Sequence, residues 1–232
     1  MASYISTIME ALNAYPENSI IIARELYAGL SSEVPEQTFY KSLERLCDSG
    51  KLVHLSKGMY YRPRANKYGT IPLSPKEIVR FYTEGNKGMV TGYALFNEKG
   101  LTTQVPKRIE ILSNSIEEEK RNIQNVLIKK APVEMTEQTV TVIEALEILQ
   151  SYNSIEDINN DALARYLTEF ASGYSEKAVE KVLASLKYKK STIAFLEAVL
   201  NYHNVKNTLR KYLSPLSKYN IPDMEVLYAP AQ

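Results

Sequence analysis

At 232 residues, with 44% hydrophobic and 24% charged side chains, the chain has the composition of an ordinary globular protein, with room for one large domain or two small ones. Its one cysteine, Cys47, excludes a disulfide framework, and no apolar run reaches the roughly 20 residues of a membrane span, so a reducing, cytoplasmic setting is expected. The net charge of +1 is uneven: residues 1–50 carry 3 basic and 7 acidic side chains, 51–116 carry 11 and 4, 117–170 carry 5 and 11, and 171–232 carry 9 and 5.

Tyr4 to Ala14 reads as a first helix with Tyr4, Ile5, Ile8, Leu12 and Tyr15 toward a core, broken by Pro16, Glu17 and Asn18. No secretory leader is expected there, since a basic start is lacking and Glu10 interrupts the apolar residues. Ile20-Ile21-Ile22 is strand-like, and a short helix follows through Leu26 to Gly29. From Pro35 the periodicity is helical, with Phe39, Leu43, Leu46 and Cys47 on one stripe and Gln37, Lys41, Glu44 and Arg45 opposite. Gly50 ends that helix. A hairpin follows: Lys51–Leu55, a Ser56-Lys57-Gly58 turn, then Met59–Arg62. Three helices and a basic two-stranded wing make the plan of a winged helix-turn-helix, which sets its last helix in the major groove. An ordinary helix–hairpin of any α+β domain has the same pattern.

Pro63, Gly69, Pro72 and Pro75 mark a linker. Ser74-Pro75-Lys76-Glu77 then carries the signals of a helix start, with Ser74 and Glu77 as a capping box, for a helix running to Glu84. A second helix spans Thr91–Lys99, and 107–112 and 123–128 have strand character. Helical periodicity covers 140–150, 161–171, 175–188, 192–202 and 205–213, before an irregular tail. The expected fold class is therefore α+β: a winged helix at 1–64, a linker at 65–75, and an α+β domain ending in a helical bundle at 76–232.

Little in the residues points to catalysis, and neither a metal nor a cofactor is expected. His54 and His203 lack ligand spacing to a cysteine or carboxylate, and no glycine-rich phosphate loop or G-x-S-x-G elbow occurs. Glu117-Glu118-Glu119 reads as a solvated face, and Asp157 with Asp161 lacks a third ligand or base partner.

Two segments resemble a known family. LERLCDSGKLVHLSKGMYYRP (43–63) is similar to the wing of the AbiEi-type antitoxins, the regulators of type IV toxin–antitoxin operons, with Lys57, Gly58, Met59 and Tyr60 in the family's [RK]-G-[apolar]-Y turn. GYALFNEKGLTTQVPKRIEIL (92–112) resembles the start of that family's C-terminal domain through Gly92, Ala94, Leu95, Gly100, Leu101, Thr102, Gln104 and Pro106. VTVIEALEIL (140–149) occupies the place of the family's next helix without its Pro and Lys. The resemblance implies a repressor of its own promoter that binds inverted repeats, and an antitoxin opposing a nucleotidyltransferase-like toxin.

On this reading the partner is double-stranded promoter DNA. Lys41 and Arg45 donate to guanine and Gln37 pairs with adenine. Thr38 and Tyr40 touch phosphate or sugar, and Lys57, Arg62 and Arg64 contact phosphate or enter the minor groove. The alternative is a winged-helix regulator or protein-binding module with no toxin partner, which Glu36 and Glu44 beside the reading face favour.

Overall fold

In the computed structural model, which describes residues 3–229, the chain is a mixed α+β protein of two units, one up to Phe81 and one from Tyr82 onward. Among the described residues, no helix is long and apolar enough to cross a membrane.

The first unit runs α1 (Tyr4–Asn13), β1 (Ile20–Ile22), α2 (Ala23–Ala28), α3 (Glu36–Asp48), β2 (Val53–Ser56) and β3 (Met59–Tyr61). The strands form an antiparallel sheet in the order β1-β3-β2. Its core joins Ile8, Leu12, Ile21, Leu26, Phe39, Leu43, Leu46 and Leu52. Two expected core residues do not join it. Tyr4 and Ile5 are 50% and 38% exposed, because the buried stripe of α1 begins only at its second turn, with Ile8 and Leu12. Gly50 takes φ 70° after α3, and the N–H groups of Lys51 and Leu52 fold back onto the Leu46 carbonyl at 3.0 and 3.2 Å. That left-handed step carries the chain directly from helix to hairpin.

The stretch expected as a linker holds a second antiparallel hairpin, β4 (Arg64–Asn66) and β5 (Gly69–Ile71). α4 (Pro75–Thr83) follows and carries the boundary between units. The Ser74 N–H donates to Glu77 Oε2 at 2.7 Å, one half of the reciprocal cap its sequence announces.

The second unit opens with β6 (Gly88–Thr91), α5 (Gly92–Glu98), β7 (Ile109–Ser113), β8 (Lys120–Ile123) and β9 (Val126–Lys130). The sheet order is β6-β7-β9-β8, with β7 and β9 parallel and the outer pairs antiparallel. Gly88 is a packing requirement: a Cβ there would meet the Leu112 carbonyl oxygen at 2.4 Å and the Tyr82 carbonyl oxygen at 2.7 Å. Helices α6 (Glu137–Ser151), α7 (Asn160–Ser172), α8 (Glu176–Ser185) and α9 (Lys190–Tyr202) follow, with a final turn α10 (Met224–Leu227). α6 is the hub. It packs against α5, α7, α8 and α9 and buries Val142, Ile143, Ala145, Leu146, Ile148 and Leu149. It starts earlier than periodicity suggests, because Thr136 and Thr139 cap each other, Thr136 Oγ1 accepting from the Thr139 N–H at 3.2 Å and Thr139 Oγ1 from the Thr136 N–H at 2.8 Å.

The helix expected over 205–213 does not form. Asn204 takes φ 58°, the Val205 N–H closes α9 on the Leu200 carbonyl at 2.8 Å, and only a 3-10 turn, Leu209–Tyr212, remains. Leu209 and Leu213 are buried at a helix-like spacing, but they reach the core from either end of that turn.

Candidate nucleic-acid interface

α3 and the β2–β3 turn present most of the residues singled out by sequence. At 3.6 residues per turn, Gln37, Lys41, Glu44, Arg45 and Asp48 fall opposite the buried Phe39, Leu43 and Leu46. Gln37, Lys41 and Arg45 are exposed. The face is mixed in charge, since Glu36, Glu44 and Asp48 stand beside the two cations. Thr38 is half-buried, and its carbonyl accepts the Ser42 hydroxyl at 2.7 Å, which satisfies that buried serine. Tyr40 is 37% exposed and packs edge-on against Phe39, with 5.2 Å between ring centroids, so its ring is partly committed to the core. Lys57 is exposed in the β2–β3 turn. Behind that turn, His54 and Tyr60 face each other across the strands with ring centroids 5.2 Å apart.

Arg62 departs from its expected role. Its Nη1 donates to the carbonyls of Tyr15 at 2.7 Å, Asn13 at 3.3 Å and Leu12 at 3.4 Å. Leu12 and Asn13 end α1 and Tyr15 lies just beyond it, so these carbonyls stand at the negative pole of the helix dipole, the Leu12 carbonyl also accepting the Tyr15 N–H at 3.1 Å. The guanidinium is therefore a helix cap, and only its remaining N–H groups are left for a phosphate. Arg64 is exposed, and its backbone N–H donates to Asn18 Oδ1 at 3.0 Å.

From Ser49 to Lys76 the chain carries Lys51, Lys57, Arg62, Arg64, Lys67 and Lys76 and not one Asp or Glu. Lys67 and Tyr68, which pattern reading assigned to a linker, stand at the tip of the β4–β5 hairpin. Cys47 is half-buried, and burial, with Asp48 adding to it, holds its thiol above the ordinary value. A nucleophilic cysteine needs the opposite shift.

The second unit has an open groove of about 530 Å³ lined by Lys99, Glu137, Glu144, Tyr166 and Glu169, among others. Lys99 Nζ pairs with Glu144 Oε2 at 2.7 Å and lies 5.7 Å from the Tyr166 ring centre. Burial, with Glu144 adding to it, pushes the Tyr166 phenol far up. These groups form an ion pair and an apolar wall, and neither a nucleophile–base pair nor a histidine is among the lining residues. Among the described residues, no group of three or more His, Cys, Asp or Glu is placed to hold a metal ion.

The 92–112 segment proves to be framework. The Leu101 N–H closes α5 on the Phe96 carbonyl at 2.8 Å, and the Leu101 carbonyl accepts the Asn159 N–H at 2.8 Å. Thr102 Oγ1 donates to the Glu156 carbonyl at 2.9 Å, and Asn97 Nδ2 donates to the carbonyls of Thr102 at 3.2 Å and Gln104 at 3.4 Å. Leu95 and Leu101 are fully buried. The motif thus pins α5 to the start of α7.

Residues 7–170 match the model of DUF6088, a family of unknown function. The chain belongs to that family. No curated protein matches it. Among solved structures, it is similar to the crystal structure of the RV2827C protein from Mycobacterium tuberculosis, at 13% identity and a TM-score of 0.47, over 86% of this chain and 76% of that one.

Proposed function

We propose that this DUF6088 protein is a winged-helix autorepressor that reads promoter DNA through α3 and grips it through the β2–β3 turn. Its second unit then acts as an antitoxin against a nucleotidyltransferase-like toxin. The order α1, β1, α2, α3, β2, β3 with the sheet β1-β3-β2 supports the winged helix. The observation that carries the reading is the pairing, within one unit, of an exposed helix face bearing Gln37, Lys41 and Arg45 with an acid-free basic stretch from Ser49 to Lys76. Base edges demand donors such as these, whereas phosphates demand only positive charge. The antitoxin role rests on the resemblance over 92–112. A reporter driven by the DNA upstream of this gene, with the full chain supplied in trans, tests the regulatory half. Repression that depends on Lys41 and Arg45 supports it, and an unresponsive reporter contradicts it.

The mixed charge of α3 favours a second reading, in which the same face docks a protein. Glu36, Glu44 and Asp48 repel phosphate but suit a basic peptide surface. Steep weakening of DNA binding with salt separates the two, since counterion release accompanies phosphate contacts.

A further inference from the structure

Among the described residues, the β4–β5 hairpin pairs with no other strand. Every residue from Arg64 to Thr70 is exposed, and only Ile71 is half-buried. A two-stranded hairpin without a buried face is marginal in water. Both ends of this one are nevertheless organised. At the root, the Asn18 N–H donates to the Arg62 carbonyl at 2.8 Å and Asn18 Oδ1 accepts the Arg64 N–H at 3.0 Å. At the tip, Asn66 Oδ1 accepts the Tyr68 N–H at 2.9 Å and Asn66 pairs with Gly69, an Asx-type closure. The tip holds Tyr68 outward at 84% exposure, with Lys67 Nζ 4.9 Å from its ring centre. Arg64 and Lys67 are the hairpin's charges, and the nearest carboxylates in sequence are Asp48 and Glu77.

We propose that this hairpin is a second DNA-gripping arm, with Arg64 and Lys67 on phosphates of the duplex beside the segment read by α3 and Tyr68 packed against the sugar edge of a groove. The inference rests on the reading of the first unit as a duplex-DNA binder. Charge selects a polyanion, because the arm offers two cations and no acid. Two-stranded ribbons enter DNA grooves in several known readers. The tip has a single aromatic ring, whereas single-strand binders array successive rings for successive bases, so the occupant is a duplex.

The chain contains no tryptophan, so Tyr68→Trp places its only indole at the tip. The full chain carrying Tyr68→Trp is titrated with the labelled duplex from upstream of its own gene, with the single strand of the same sequence, and with a scrambled duplex. Indole emission and label anisotropy are read together. The arm predicts quenching that saturates with duplex binding. A Lys67→Ala, Tyr68→Ala chain should bind about tenfold more weakly, with a salt slope lower by roughly one and a footprint shortened on one flank. Its substitutions are solvent-exposed, and circular dichroism checks that the fold is kept. Saturating anisotropy with unchanged emission and an unchanged footprint overturns the arm while leaving DNA reading by α3 intact. Quenching by the single strand alone overturns the duplex as its occupant. Flat anisotropy with every duplex removes the underlying reading and the arm with it.

Discussion

Arg62→Ala separates a helix cap from a phosphate contact, and the structure gives its size. The Nη1 bond to the Tyr15 carbonyl is short at 2.7 Å, while those to Asn13 and Leu12 are long at 3.3 and 3.4 Å and share the same nitrogen. One full hydrogen bond to a charged group contributes about 1.5–3 kcal/mol, and a cation at a helix C-terminus about 0.3–1 kcal/mol. The side chain is half-buried, so the lower part of that range applies and the total is about 2 kcal/mol. At about 4–8 °C per kcal/mol for a domain of this size, the first unit should melt on the order of 8–16 °C lower. Arg62→Lys keeps the charge but loses the planar fork and should recover about half of that. Thermal melts by circular dichroism give the loss, and hydrogen exchange over residues 4–15 locates it, because a two-unit chain need not melt in one step. The reasoning is refuted if Arg62→Ala stays within roughly 0.5 kcal/mol of wild type, leaves α1 exchange unchanged and weakens DNA binding. Arg62 would then belong to the DNA interface.

Gly88→Ala should cost about 1–3 kcal/mol or more in urea unfolding, because its Cβ would lie 2.4 Å from the Leu112 carbonyl oxygen; an unmoved midpoint would show that β6 and β7 part easily. Burial holds the Glu147 carboxyl above its ordinary value, against the opposing hydrogen bond from the Tyr188 hydroxyl at 3.1 Å. A raised folded-state value means its contribution is fully present below the unfolded value and is lost as pH rises through the folded one. Glu147→Gln should therefore be more stable than wild type at about pH 8 and nearly equal to it at about pH 4, and a loss confined to the higher pH would reverse the sign. The antitoxin role proposed above predicts that the full chain carrying Lys41→Ala and Arg45→Ala still neutralises a nucleotidyltransferase-like toxin, if one is encoded alongside, expressed from an independent promoter. Protection that disappears along with DNA binding would place it in repression.

Much of this fold is legible where one face is buried and the other wet. α3 is the clearest case: Phe39, Leu43 and Leu46 mark the inner stripe, so Gln37, Lys41 and Arg45 follow as the outer one. The segments that escaped reading lack that contrast. β4 and β5 are exposed on both faces, and Gly69 and the surrounding prolines give the signature of a loop. Edge strand β8, Lys120–Ile123, buries only Ile123 and otherwise reads as part of a charged run. The cap on α6 uses threonine where pattern reading looks for Glu or Gln at the third helical position. The carbonyl contacts of Arg62 have no signature in the sequence, because a basic residue after a hairpin looks the same whether it faces solvent or a carbonyl 47 residues earlier in the chain.

The most direct test of α3 as a DNA reader is binding of the full chain to its upstream duplex and a scrambled duplex across a salt series. Wild type should prefer the upstream duplex by at least about 10³-fold and weaken steeply with salt on both. Lys41→Ala and Arg45→Ala should each remove about 1–3 kcal/mol from the upstream duplex and little from the scrambled one. Lys57→Ala should weaken both alike and lower the salt slope by roughly one. Equal affinity of wild type for the two duplexes, or binding indifferent to salt, would contradict the account.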